Sequence, residues 1–369
     1  MPKNILVINP GSTSDDIGFY RGLRPVFEVK LEYSPKDLAP YANRNVAEMA
    51  PMKKNLILSY LKKNHIDLKE IDVVIGRGGL TKHTEGGTFY VNDAMLADLK
   101  KGYLGVHPCN LGGILAKAIA DEAGCPALIS DPEVVNEMWP EAQYTGMPEL
   151  PRIPIFHALS QRRVAIHTAK QLGKRYEDCR FVIMHAGGGI TFGLHIGGRV
   201  VDVNNGLDGE GPMTPQRTGT LPTGNFMRLC YSGKYTLPEM SLKVKGHGGV
   251  CAYCGTHDIK AIMRFIETGE KEENSPITCT REKAKEVIDA MIYQMSKYAA
   301  YTAAPAEGKL DAVVLTGAVM YSEYIRETLK KKVSWLAPVF VYPGSDEKAA
   351  LKEAALRALE NPSLIKEYK

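Results

Sequence analysis

The chain repeats one pattern at half its length, and a duplication of this kind leaves few folds open. Residues 4–33 read strand, turn, strand, turn, strand, in "NILVINP", "DIGFYRG" and "PVFEVKLEY". Residues 180–205, "RFVIMHAGGGITFGLHIGGRVVDVNN", read the same way. In each copy an apolar run ends at a polar residue, small residues turn the chain, and two more strands follow. Helices and apolar strands then alternate. The first half predicts helices near 51–64, 93–100 and 109–124, with strands in "VVIGRGG" (73–79) and "PALISD" (126–131). The second predicts helices near 222–231, 257–269, 280–304 and 320–331, a strand in "DAVVLTGA" (311–318), and a last helix at about 346–360. Such alternation implies an α/β chain with a largely parallel central sheet in each half. Pro148, Pro151 and Pro154 cluster where the halves meet, as a hinge region would.

With 369 residues the chain has room for two domains of ordinary size. A net charge of +4, without a long Lys/Arg run, argues against a nucleic-acid or membrane-surface partner. No stretch approaches the ~18 consecutive apolar residues that span a bilayer. The chain enters a strand almost at once, which predicts no signal peptide and a cytoplasmic protein. The seven cysteines form no spaced framework, as expected of reduced thiols. Cys251 and Cys254 are a close pair, but the second pair a zinc site wants does not follow, so both read as ordinary thiols.

Four loops that follow predicted strands are rich in small residues: 9–14 (NPGSTS), 76–79 (GRGG), 185–189 (HAGGG) and 316–318 (TGA). Glycine lets backbone N–H groups converge on an anion, and Ser or Thr adds hydroxyl donors. Any one of them is an ordinary turn. Four at strand ends, two of them in matching positions of a repeat, point to an anion site beyond the carboxyl ends of the strands. Neither a Walker A sequence nor a G-x-G-x-x-G after the first strand is present. Charged residues gather at the same ends: Arg77 between glycines, Asp131 after a strand, His157 in "IFHAL", Arg217 in the long irregular segment 207–224, and Glu347 at the start of the last helix. Phosphoryl transfer uses such a set together, because its transition state spreads negative charge over oxygens that Arg, His, backbone N–H groups and a carboxylate-held Mg²⁺ can stabilise.

The motifs "ILVINPGSTS", "GRGGL", "NLGGI", "SDPEVV", "IFHAL", "HAGGGIT", "VNNGLDGEGPMTPQRTGTLP", "GGVCAYCGT" and "VVLTG" span nearly the whole chain. In their order and wording they resemble the butyrate kinases, relatives of acetate kinase in the acetate and sugar kinase, Hsp70 and actin superfamily. The resemblance implies two duplicated ribonuclease-H-like, actin-like ATPase domains around a central cleft. An acyl- and phosphoryl-side domain would hold 1–150 plus about 347–369, and a nucleotide-binding domain 151–346. It implies phosphoryl transfer between ATP and a short-chain fatty acid, butyrate or a branched relative, run towards ATP in fermentation. It also implies Mg²⁺ and a homodimer or larger homo-oligomer. Asn9, Ser12 and Ser14 would form the first phosphate loop, and His185, Gly187, Gly188 and Gly189 the second. Arg77 and Arg217 would hold the acyl carboxylate and the migrating phosphoryl group, and His157 would donate to an equatorial oxygen. Asp131 and Glu347 would position Mg²⁺, partly through water, and Gly317 would lie near adenosine. His107 matches a histidine of the family, in a binding or a structural role.

Two positions depart from the family pattern. Asp16 stands where these kinases carry a lysine, a change of two charge units. At about 5 Å and an effective dielectric near 20, each unit is worth roughly 3 kcal/mol beside a polyphosphate. Ala318 stands where a second glycine is usual. The departure at Asp16 opens two other readings: a sibling kinase with a changed donor or acceptor, or a non-catalytic paralogue that binds ligand.

Overall fold

The computed structural model describes residues 2–41 and 44–369. Two compact units are present. The first holds Met1–Asn136, Ala158–Ser160 and Asp346–Lys369, and the second Glu137–His157 and Gln161–Ser345.

In the first unit β1 (Asn4–Pro10), β2 (Ser14–Arg21) and β3 (Arg24–Glu32) form an antiparallel meander. Beyond β1 lie β4 (Val73–Arg77), β6 (Ala127–Ser130), β5 (Thr88–Tyr90) and β12 (Ile365–Lys366), giving the order β12-β5-β6-β4-β1-β2-β3. β1 is a near-continuous apolar run because both faces of the sheet are covered. Leu6, Ile8, Ile17 and Phe19 pack on helices Ala50–Lys63 and Asn110–Ala123. Ile5, Val7 and Tyr20 pack on the opposite face against Ala350, Leu351, Ala354, Ala355 and Ala358 of helix Glu347–Glu360. Alanines keep that helix close to the sheet. Asp346 caps it by accepting from the Ala349 N–H at 2.9 Å, which sets Glu347 at its first turn.

The second unit repeats the plan. β7 (Arg180–Ala186), β8 (Ile190–Ile196) and β9 (Arg199–Val203) form an antiparallel meander, and β10 (Ala312–Gly317) and β11 (Val339–Pro343) extend it in parallel, in the order β11-β10-β7-β8-β9. One face packs on helix Arg281–Ala303 through Ile288, Met291, Ile292 and Met295. The other packs on helix Ala158–Gln171 through Val164, Ala165 and Ala169. Both meanders shift register within the middle strand, at Phe19/Tyr20 and at Leu194/His195. The shared irregularity marks the two as copies.

The sheets are mixed rather than largely parallel, because each meander contributes two antiparallel pairs closed by short turns. Helix Ala158–Gln171 and strands β5 and β11 carry no prediction above. β5 and β11 are too short and too irregular in pattern to be seen locally.

Candidate active site

In the first unit, Gly11 to Thr13 turn the chain from β1 into β2, and the Gly11 N–H donates to the Ser14 carbonyl at 2.8 Å. Asp15 and Asp16 therefore belong to the strand and not to the turn. Alternation sends them to opposite faces. Asp15 is fully buried. It accepts from Lys53 Nζ at 2.6 Å, from the Tyr33 hydroxyl, and from the Gly11 N–H at 3.3 Å. Lys53 is itself fully buried, lies over the Tyr33 ring, and donates to the Gly11 carbonyl at 2.9 Å. Burial pushes the Lys53 pKa down against the pull of Asp15, and burial with Asp15 pushes Tyr33 up. This triad ties the turn to the helix beneath it. Asp16 is half-buried on the face of Tyr20, opposite Asn9 of β1 and Lys30 of β3. Ser12 is exposed and Ser14 half-buried.

Asn9, second from the end of β1, lies on that same face, where its Nδ2 donates to Glu347 Oε2 at 2.8 Å. Arg77, the last residue of β4, donates from Nη1 to the same oxygen at 2.8 Å and from Nε to Glu133 Oε1 at 2.6 Å. Burial disfavours the Arg77 charge, but Glu133 and Glu347 outweigh it and raise its pKa above the ordinary arginine value. Glu133 is held close because Gly78 leaves room for Pro132: a Cβ on Gly78 would lie 2.5 Å from Pro132 Cα. Asp131 follows β6 with φ 41°, and its Oδ1 accepts from the Gly87 N–H at 2.7 Å. The Asn9 Oδ1 and Glu133 Oε2 atoms are buried without a hydrogen-bond partner among the described residues. His107 sits 3.0 Å through Nδ1 from the Cys109 thiol, at the entry to helix Asn110–Ala123.

In the second unit His185 occupies in β7 the place of Asn9 in β1, second from the end. The turn behind it is closed by the Gly187 N–H donating to the Gly189 carbonyl at 2.9 Å. The segment 214–217 locks onto this loop. Thr214 Oγ1 donates to the Gly188 carbonyl at 2.8 Å and accepts from the Arg217 N–H at 2.9 Å. The Arg217 guanidinium crosses Gly189 and donates to the Gly206 carbonyl. A Cβ at Gly189 would lie 1.8 Å from Arg217 Nη1, so a side chain there would displace the guanidinium from this position. Among the described residues no carboxylate lies within ion-pair distance of Arg217. Burial lowers its pKa, and the attraction of Asp208 offsets that only in part. His157 stacks on His185 with ring centroids 3.9 Å apart and planes 14° from parallel, and its Nδ1 lies 3.0 Å from Thr191 Oγ1.

A pocket of about 930 Å³ opens beside Gly187 and Gly188, walled by Gln216, by Met263 of helix Ile259–Thr268, and by Ala318 and Tyr321. Its size suits a nucleotide. Gly317 is not part of the lining. Its φ of 100° and a would-be Cβ 2.2 Å from the Ala186 carbonyl oxygen show a glycine needed to seat β10 against β7. Ala318 takes the lining position, outside the left-handed region, so its methyl carries no backbone strain. Cys254 contacts Cys279, with burial pushing its thiol up to about 12. No group of three His, Cys, Asp or Glu among the described residues is arranged to hold a metal ion.

The structure thus groups Asn9, Arg77 and Glu347 in one unit, and His157, His185, Gly189 and Arg217 in the other. Lys53, Glu133, Thr191 and Gln216 escaped the sequence reading. Of these, Glu133 alone had a local signal, two residues after Asp131.

Two copies of a meander extended by parallel strands, each carrying a small-residue loop beside a polar side chain, define a duplicated α/β fold. The acetokinase family signature matches residues 152–338. The chain is similar to a probable butyrate kinase of Elusimicrobium minutum (strain Pei191), 53% identical over 370 residues and all of both chains. A probable butyrate kinase of Clostridium botulinum (strain Alaska E43 / Type E3) is 42% identical over 368 residues, again over all of both. In fold it is similar to Porphyromonas gingivalis acetate kinase, with a TM-score of 0.76, 20% identity, and coverage of 97% of this chain and 100% of that one. A propionate kinase of Francisella tularensis gives 0.73 at 16% identity, covering 95% and 98%. The chain belongs to the acetokinase family and is a carboxylate phosphotransferase.

Proposed function

We propose that the chain transfers the terminal phosphoryl group of ATP to the carboxylate of butyrate or a branched short-chain fatty acid, giving ADP and the acyl phosphate. In fermentation it runs in reverse, towards ATP. Support comes from the relatives, named as probable butyrate kinases across their full length. The observation that carries the reading is Arg217: a desolvated guanidinium with no carboxylate within ion-pair distance among the described residues, laid over Gly189 of the loop that follows His185. A planar cation in that setting is suited to the oxygens of a phosphoryl group.

In the forward direction a carboxylate oxygen attacks the γ-phosphorus and the bond to the β,γ-bridging oxygen breaks, leaving ADP. Gly187, Gly188 and Gly189, with Asn9, Ser12 and Ser14, hold phosphate oxygens. Arg217 and the neighbouring His157 stabilise the charge that spreads over the equatorial oxygens. Arg77, already fixed by Glu133 and Glu347, presents its remaining N–H groups to the acyl carboxylate.

Glu347, bonded to Asn9, and the buried, unpartnered Asn9 Oδ1 are hard oxygen donors of the kind that suits Mg²⁺, and Asp131 supplies a further carboxylate in the same unit. Asp131 and Glu347 would hold the ion together with water, and it would neutralise phosphate charge. No helix among the described residues is long and apolar enough to cross a membrane, in keeping with a cytoplasmic enzyme. Exposed Tyr231, Leu237 and Tyr301 favour a homodimer or larger homo-oligomer.

The test is a coupled assay of acid-dependent ADP formation over straight and branched short-chain acids, with Arg217→Ala beside the wild type. The proposal expects turnover with butyrate or a branched relative, and a variant whose kcat falls far more than its ADP affinity. An unchanged rate in Arg217→Ala would remove that residue from the site.

A further inference from the structure

Beneath His157 runs a chain of hydrogen bonds whose direction is fixed as far as the Thr191 hydroxyl. Gln161 Nε2 lies 3.3 Å from the Thr191 carbonyl, which can only accept, so the amide nitrogen faces Thr191 and the amide oxygen faces the other way. That oxygen is 3.0 Å from His195 Nε2, which must therefore carry the proton. His195 is fully buried, and burial together with the nearby Arg162 charge holds its pKa well below the ordinary value, so the ring is neutral. Its Nδ1 is then an acceptor, and it takes the proton of the Tyr176 hydroxyl at 2.7 Å. On the other side Gln161 Nε2 donates to Thr191 Oγ1 at 2.9 Å. Thr191 Oγ1, an acceptor in that bond with one proton of its own to give, lies 3.0 Å from His157 Nδ1.

We propose that Tyr176, His195, Gln161 and Thr191 are positioning residues that fix the tautomer of His157. Thr191 gives its proton to His157 Nδ1, and with Nδ1 filled as an acceptor the ring proton of His157 sits on Nε2. Stacking on His185 fixes the plane of the ring. In this tautomer the N–H donor of His157 is Nε2, set before substrate arrives. The inference rests on the reading above, in which His157 serves the phosphoryl group. Its consequence is that phosphoryl-oxygen stabilisation depends on a hydroxyl that never touches substrate.

Two measurements on the full chain separate the possibilities. Long-range ¹H–¹⁵N NMR, with the His157 signals assigned by their loss in His157→Asn, reads the tautomer without any need for activity. The expected result is a neutral Nε2–H ring in the wild type and a changed or mixed pattern in Thr191→Val. In the acid-dependent kinase assay, Thr191→Val should lower kcat by about tenfold to a hundredfold, below the ~10²–10³ lost when a transition-state donor is removed outright. Its KM for ATP should stay within about twofold, and Thr191→Ser, which restores the hydroxyl, should recover most of the rate. A wild-type Nδ1–H ring or an imidazolium near neutral pH overturns the proposal, even if Thr191→Val fails to fold. So does a Thr191→Val enzyme whose tautomer changes while kcat does not. A wild type inert with every acid defeats the function proposed above, while the NMR result still decides the tautomer.

Discussion

Two adjacent acids, Asp15 and Asp16, show how little a residue's type says before its face is known. Asp15 is spent inside the molecule, bonded to Lys53, Tyr33 and the Gly11 N–H. Its partner lies 38 residues away on a helix, so no local pattern could reveal the pair. Removing one member of a buried ion pair leaves the other charge uncompensated, at a cost of about 3–5 kcal/mol. Lys53→Met should destabilise the protein by that amount in urea unfolding, and Lys53→Met with Asp15→Leu should recover most of it. A loss below about 1 kcal/mol in the single variant would contradict the buried pair. Asp16 instead shares a face with Asn9, across one strand pair. If that face meets phosphate, Asp16→Lys raises kcat/KM at least tenfold, since about 1.4 kcal/mol suffices for a factor of ten. Equal turnover would place Asp16 outside the phosphate path. The arginines also part company. Arg77 is held between two carboxylates, whereas Arg217 is held by a carbonyl and by the absence of a side chain at Gly189. The sequence displayed both arginines next to glycines or in an irregular segment, but not this difference in pairing.

At the scale of elements, the glycine loops were legible because their composition is the mechanism. Gly187 to Gly189 turn between strands, and glycine at 189 admits the arginine. Gly317 was read for ligand contact, yet its structural reason is packing against Ala186. A glycine reports close approach without saying to what. Helix Ala158–Gln171 went unread because it is covered along much of its length, which weakens its amphipathic period. Its first turns nevertheless carry Gln161, and β8 carries His195, in a wholly buried polar chain. That chain has a pH consequence. The native His195 pKa lies well below the unfolded value of about 6.5. Below that pH the unfolded chain takes up a proton that the native ring refuses. The contribution is therefore fully present above about pH 6.5 and declines as pH falls, by up to ~1.4 kcal/mol per unit. Urea unfolding at pH 7.5, 6.5 and 5.5 should give a shallower acid loss for His195→Gln than for the wild type. Parallel profiles would contradict a neutral buried ring.

The whole molecule was legible first and most securely, because duplication is written into the sequence twice. Both meanders, their turns and their bulges follow one plan, and each copy carries a polar residue of the site second from the end of its first strand, Asn9 or His185. The division of labour was less visible. The first unit gathers carboxylates around one arginine, while the second holds a stacked histidine pair, a nucleotide-sized pocket and an arginine with no ion-pair carboxylate among the described residues. In the proposed function the first is the acid side and the second the nucleotide side, and the central claim is that the chain forms an acyl phosphate. Trapping with hydroxylamine tests the claim at the product. With ATP, Mg²⁺ and butyrate or a branched short-chain acid, the wild type should yield one acyl hydroxamate for each ADP formed, and Arg217→Ala should yield almost none. ADP without hydroxamate, or no product from any acid, would contradict it.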